Sequence, residues 1–187
     1  MRNFINANFS DTNIRYFNSR EDFFSHKNDG SIDVVVMCNV FHEISPSEWP
    51  NLFSQQSLII RALQNDGYML LVEDQRIPVG EKAHKYGFII PDTSHLRTLF
   101  KIKSEDNDNG RFSVNDARKN GRLKAHLISK SLLMQLTSET VKQSIDQLRQ
   151  TAKDKIKHLR DENPTYSNGQ LYGFWMQQFA NATLFLD

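Results

Sequence analysis

IDVVVMCNVFHEI, residues 32–44, is an almost unbroken apolar run that ends in a cluster of polar groups. The apolar residues follow one another instead of alternating, which is typical of a strand covered on both faces, as in a parallel sheet. A short buried helix has a similar pattern, but three successive valines, residues 34–36, favour a strand. We therefore predict a buried strand whose carboxyl end carries Cys38, Asn39, His42 and Glu43.

A helix and a second strand are expected to follow. Ser45, Pro46 and Glu48 have the spacing of an N-cap, a first-turn proline and a capping box, although Pro50 indicates that the regular helix restarts at residue 49 or 50. Apolar residues in the stretch 52–63 mark one helix face, and the turn residues 65–67 are predicted to end it. A second apolar run, residues 68–72, then leads into Glu73 and Asp74.

Strand, helix and strand of these lengths predict a βαβ unit, in which the two strands lie parallel in one sheet. Ligands of open α/β sheets bind at the carboxyl ends of the strands. The polar groups of residues 38–43 and 73–76 fall at those ends. The sequence therefore predicts a ligand crevice at this edge of the sheet.

The rest of the chain contains sequence patterns that predict further strands and helices. Upstream, residues 14–17 resemble a strand and residues 21–24 a short helix; downstream, Thr93 or Ser94 is expected to cap another helix. Residues 101–114 are interpreted as a hairpin with a polar turn, whereas GRLKAHLI fits either a strand or the start of a helix. Apolar residues at steps of three and four predict a long helix over residues 138–160, and residues 171–186 predict an aromatic-rich one.

Composition and charge narrow the class of protein. The 187 residues, 39% hydrophobic and 24% charged, suit one soluble domain with or without an appendage, and a net charge of +1 does not favour nucleic acid as a partner. Cys38 is alone, so no internal disulfide forms. The first ten residues lack the features of a secretion signal, and no stretch approaches the ~20 apolar residues of a membrane span. We expect a cytoplasmic protein without a membrane partner.

The order of elements resembles the second half of a class I S-adenosylmethionine-dependent methyltransferase. The resemblance rests on the Ile-Asp opening and CNVFHEI ending of the first strand, on GYMLLVEDQRIPVGE, and on the short helix and antiparallel hairpin that follow. It covers about residues 14–114. It implies a partial Rossmann-like α/β sheet of parallel strands with a C-terminal antiparallel hairpin, in a domain of residues 1–114. Residues 115–187 would form a helical extension packed on that domain.

The resemblance implies S-adenosylmethionine as cofactor and an unidentified methyl acceptor as partner. Carried over by position, the residues expected to bind the cofactor are Asn18, Ser19, Cys38, Asn39 and Phe41. His42 and Glu43 are the expected catalytic residues, with His42 as a general base. The alternative is that His42 is a loop histidine bonded to backbone, that Asn39 is a turn residue at the strand end, and that Cys38 is a small apolar residue.

Two features of the family pattern are missing. The eight glycines form no GxG, so the glycine-rich loop that approaches the cofactor has no counterpart, and no acid matches the one that holds the ribose. We therefore expect either a fragment of a longer protein or an enzyme whose N-terminal half comes from elsewhere. The alternative function is an inactive scaffold whose open sheet edge and C-terminal helices bind a protein partner.

Metal chemistry is not expected, because HEISP has no second histidine at the HExxH position and one cysteine cannot build a zinc cluster. Glu73 and Asp74 either bind a substrate amine or a metal, or they cap the next turn or face water. Basic residues after the second strand either attract an anionic substrate or form a solvated loop; they are Arg76, Lys82, His84 and Lys85.

Overall fold

The strands of this mixed α/β fold form one four-stranded sheet. The computed structural model describes residues 17–76, 85, 87–116 and 121–187. The strands are β1 (Ile32–Cys38), β2 (Leu63–Asp74), β3 (Phe112–Asp116) and β4 (Leu123–Ser129). The helices are α1 (Arg20–His26), α2 (Trp49–Leu52), α3 (Leu58–Ala62), α4 (Thr93–Leu99), α5 (Glu105–Asp108), α6 (Lys130–Leu133), α7 (Ser138–Asp161) and α8 (Tyr166–Leu186).

The sheet combines one parallel pair with an antiparallel hairpin, in the order β1-β2-β4-β3. β1 pairs in parallel with β2, with Val36 opposite Leu70, which confirms the predicted parallel strands. β4 runs antiparallel to both β2 and β3. The carboxyl ends of β1 and β2 therefore lie side by side, as the βαβ prediction requires.

The connection between the parallel strands is less regular than predicted. Instead of one helix there are a 3-10 turn at Pro46–Glu48, then α2 and α3, with a break between the two helices. Pro50 lies in the first turn of α2, where a backbone N–H has no acceptor within the helix and proline is tolerated. Helix α3 ends at Ala62, before the predicted stop, and residues 65–67 lie within β2 as an irregularity in its pairing with β1.

One face of the sheet carries the core. From residue 68 to the end of β2, the odd-numbered side chains, Met69, Leu71 and Glu73, are buried, and the even-numbered ones are only half-buried. On β1 the same alternation leaves Val36 60% exposed and Val34 44% exposed. The prediction that β1 is covered on both faces is therefore wrong for the described part of the chain. An apolar run in the sequence does not show which face of the strand packs against other residues.

The predicted hairpin of residues 101–114 is also wrong. Residues 105–108 form α5, and the true hairpin joins β3 to β4. The Asp106 carboxylate stabilises this turn, because it accepts from the Lys103 N–H at 2.7 Å and pairs with Arg111. GRLKAHLI, which fitted either a strand or the start of a helix, contributes to strand β4. The predicted upstream strand, residues 14–17, lies outside the described residues except for Phe17, which is in no strand.

The C-terminal helices agree with the amphipathic pattern. α7 begins at a capping box made by Thr137 and Thr140, and its apolar stripe of Val141, Ile145 and Leu148 is buried in the same core cluster as the sheet. α8 begins five residues before its predicted start, at Tyr166. The expected domain boundary after residue 114 falls within β3, and β4, an inner strand, follows it. The helices after the sheet thus begin at Lys130.

Candidate functional site

Glu73 lies at the carboxyl end of β2, on the buried face of the sheet, and is only 2% exposed. Its Oε1 accepts hydrogen bonds from the backbone N–H groups of Val40, at 3.2 Å, and Phe41, at 2.8 Å. Its Oε2 lies 2.5 Å from Nδ1 of His42. Both carboxylate oxygens are thus satisfied by the turn that follows β1, which links the ends of the two parallel strands.

His42 is carried by a 3-10 turn, Phe41–Glu43, and is 3% exposed. The Asn39 backbone, with a left-handed φ of 51°, makes this turn possible, because asparagine adopts that region more readily than other non-glycine residues. The Asn39 N–H donates to the Val72 carbonyl at 2.8 Å, and its Oδ1 accepts from the Asp74 N–H at 2.8 Å. Asn39 therefore aligns the two strand ends from which His42 and Glu73 project.

The second ring nitrogen of His42 is the chemically informative atom. Because the Glu73 carboxylate accepts from Nδ1–H, Nε2 carries the lone pair of the neutral ring. Nε2 is buried and has no hydrogen-bond partner among the described residues; the nearest carboxylate oxygen, Oε1 of Glu43, is 3.9 Å away. The Phe88 ring packs edge-on against the imidazole, with 5.3 Å between centroids. A histidine fixed by a carboxylate with a free second nitrogen has the arrangement of a general base.

The other predicted site residues are distributed differently. Phe41 is fully buried and stacks on Trp49 with 4.5 Å between ring centroids, so its side chain belongs to the core. Cys38 is exposed at the end of β1, next to Asn39, and Glu43 is exposed beside His42. Asn18 and Ser19 lie at the start of α1, where the Ser19 Oγ accepts from the Asp22 N–H and the Asn18 N–H donates to the Asp22 carboxylate. Their observed contacts are those of a helix N-cap.

Glu73 as the partner of His42 was missed by sequence reasoning, although Glu73 itself was noted. The signal was present: a carboxylate and a histidine follow two strands predicted to be parallel neighbours. Asp74, the next residue, pairs instead with Arg122 at 3.1 Å, near the surface. Of the predicted basic loop, Arg76 is exposed, whereas Lys82 and His84 lie outside the described residues.

A second group of buried polar side chains lies where α4 begins. Asp92 caps α4, so the predicted cap at Thr93 or Ser94 is wrong, and it accepts from Lys124 at 2.5 Å. Burial alone would raise the pKa of Asp92, but the hydrogen bonds from Lys124 and the Thr93 N–H outweigh it, so the pKa lies below its ordinary value. Burial lowers the pKa of both His95 and His126 to about 4. These two histidines are therefore neutral near pH 7.

Two further findings concern metals and membranes. Within residues 17–76, 85, 87–116 and 121–187, no group of three or more histidine, cysteine or acidic side chains is placed to hold a metal ion. In the same part of the chain, no helix combines the length and apolarity that crossing a membrane requires.

Comparison of the chain with protein-family models, curated proteins and solved structures found no match.

Proposed function

We propose that this chain is the C-terminal part of a Rossmann-like S-adenosylmethionine-dependent methyltransferase, in which His42 is the general base. The observation that carries the proposal is the Glu73–His42 pair, with 2.5 Å between Oε2 and Nδ1, at the adjoining ends of two parallel strands. The antiparallel hairpin beside β2 also agrees with the order of elements that the resemblance implies.

The cofactor would supply an electrophilic methyl group on a sulfonium. Of the residues expected to bind it, Cys38 and Asn39 are exposed at the end of β1 and fit such a contact, whereas Phe41 does not, since its ring is enclosed in the core. The Nδ2 group of Asn39 has no partner among the residues described and remains a hydrogen-bond donor. The remaining contacts would come from polypeptide outside the described residues.

In this proposal, His42 Nε2 would take the proton of an acceptor hydroxyl or amine as the acceptor bonds to the methyl carbon. The methyl–sulfur bond would break in the same step, and S-adenosylhomocysteine would leave with the electron pair of that bond. Glu73 keeps the imidazole in the orientation and tautomer that this step needs, and it stabilises the imidazolium that results. The burial of both groups strengthens their interaction, because the local dielectric is lower than that of water. Glu43 is exposed and within 3.9 Å of Nε2, where it would orient the acceptor.

Calorimetric titration of the folded chain with S-adenosylhomocysteine tests the donor site. We expect binding tighter than roughly millimolar, weakened by Asn39→Gly, which keeps the left-handed turn but removes the amide. His42→Gln should leave this affinity unchanged, since His42 is assigned to the acceptor side. The absence of binding to folded protein would count against the enzyme and favour the scaffold.

The alternative is a catalytically inactive scaffold, and the open face of the sheet favours it. Val34 and Val36 project from this face, and the edge of β1 opposite β2 has no strand partner among the residues described. We propose that its occupant would be a β-strand with an apolar face, added in register to β1. A soluble peptide of alternating Val and Thr residues, titrated calorimetrically, should then bind the wild-type protein and bind the Val36→Glu variant more weakly.

A further inference from the structure

We infer that the cavity between the end of β2, the start of α4 and the two C-terminal helices is a binding site for a small planar organic anion. The cavity has a volume of about 420 Å³, which lies in the range of small-molecule sites. It is lined by parts of the chain that are distant in sequence, from Gln75 to Trp175. The inference does not depend on methyl transfer.

The walls of the cavity supply an apolar surface for a flat ring. Phe174 and Trp175 of α8 line it, with their rings edge to face at 5.0 Å between centroids. Leu159 of α7, Leu171 of α8 and Ile90, which precedes α4, also belong to this surface. Both aromatic side chains are only half-buried, so a ligand would remove further apolar area from water.

The charges that line the cavity favour an anion. Lys124 is paired with Asp92 at 2.5 Å, and His158 with Glu162 at 3.0 Å, so these four groups largely satisfy one another. Arg76 and Lys155 also line the cavity, and neither side chain has a charged or hydrogen-bonding partner within the described part of the chain. Without such a partner among these residues, the two cations attract a negative ligand group.

A buried donor points to the same chemistry. Nε2 of Gln75 is buried and has no acceptor among the residues that the structure describes, although Gln75 lines the cavity. An unpaired buried donor costs free energy, and an anionic oxygen in the cavity would satisfy it. Apolar walls, two cations and this amide together specify a planar ring with a sulfonate, carboxylate or phosphate group.

Naphthalene-2-sulfonate is a suitable probe, titrated calorimetrically into the full chain with naphthalene-2-methanol as its uncharged counterpart. We expect the sulfonate to bind at least about fivefold more tightly than the alcohol. Its affinity should fall as the salt concentration is raised. Trp175 fluorescence should change on binding, and Trp175→Ala should weaken it, because this ring forms part of the wall. Equal binding of the two compounds would overturn the inference.

Charge variants locate the site. Arg76→Gln and Lys155→Gln should each weaken sulfonate binding by about three- to fivefold, as expected for exposed charges, and the double variant by about tenfold or more. Lys153→Gln is the matched control, since Lys153 lies on the same helix, is exposed and does not line the cavity. If the control weakens binding as much as Lys155→Gln, or if no variant changes it, the cavity is not the site.

Discussion

Glu73 shows how one buried carboxylate joins the ends of two strands. It accepts two backbone hydrogen bonds from the turn after β1 and one from His42, and it is almost inaccessible to solvent. A buried charge of this kind is tolerated because each of its oxygens has a partner. The same contacts that stabilise the fold therefore prepare His42 for proton transfer.

Replacing Glu73 with glutamine should destabilise the protein by roughly 1–3 kcal/mol, because the amide NH₂ cannot accept as the second carboxylate oxygen does. Urea denaturation followed by circular dichroism measures the change in the free energy of unfolding. Glu43→Gln, a substitution of an exposed carboxylate next to His42, is the control and should change stability by less than about 0.5 kcal/mol. Equal losses would show that Glu73 has no special structural role.

The two buried histidines of the α4 region predict a pH dependence. Burial lowers the pKa of His95 and His126 from 6.5 to about 4, so the unfolded chain binds their protons more readily than the folded chain. The contribution of the two neutral histidines to the free energy of unfolding should be fully present above pH 6.5. It should be lost as the pH decreases towards 4, by up to about 3 kcal/mol for each histidine.

Unfolding free energies measured from pH 4.5 to 7 test this prediction. His95→Gln and His126→Gln should each reduce the slope of stability against pH. Ile102→Val is the control, because it removes a buried methylene group without changing a titrating side chain and should lower stability equally at every pH. A slope that neither histidine substitution alters would contradict the assignment.

Among the elements, α8 fixes a segment that belongs to no strand or helix, residues 87–90. The Gln178 side chain accepts from the Ile90 N–H at 3.0 Å and donates to the Phe88 carbonyl at 3.1 Å. Asn181 donates to the same carbonyl at 2.9 Å. Phe88 in turn packs against His42, so α8 helps to position the side of the candidate site.

Gln178→Ala should destabilise the protein by about 2–3 kcal/mol, because it leaves a buried donor and a buried acceptor with fewer partners. Thermal and urea unfolding measure this loss. Gln177→Ala is the matched control: the preceding glutamine is exposed on the same helix and should change stability by less than about 0.5 kcal/mol. A cost for Gln177→Ala similar to that of Gln178→Ala would contradict the role given to the Gln178 hydrogen bonds.

For the molecule as a whole, one core connects the sheet with the C-terminal helices. A single cluster of buried residues includes Trp49 and Leu71 from the sheet side and Ile145 and Leu148 from α7, and Trp175 packs against it. Removing either part would expose the apolar surface of the other. We therefore expect the chain to unfold as one cooperative unit.

Two probes test this expectation in the Trp175→Phe variant. Trp49 fluorescence then reports on the sheet side, whereas far-ultraviolet circular dichroism reports mainly on α7 and α8, the longest helices described. The two urea transitions should have the same midpoint. Separate midpoints would show that the helices unfold independently of the sheet, as a separate extension would.

The sequence by itself determined the elements with strong local patterns: the two parallel strands, the α4 helix and the amphipathic α7, because apolar periodicity and capping residues act over a few neighbours. It also indicated that His42 and Glu73 follow neighbouring strands. Only the tertiary structure decided that Phe41 is a core residue, that β1 is exposed on one face, and that the hairpin joins β3 to β4. These outcomes depend on which residues, distant in sequence, pack on each face of a strand and pair with its edges. A local sequence pattern does not contain that information.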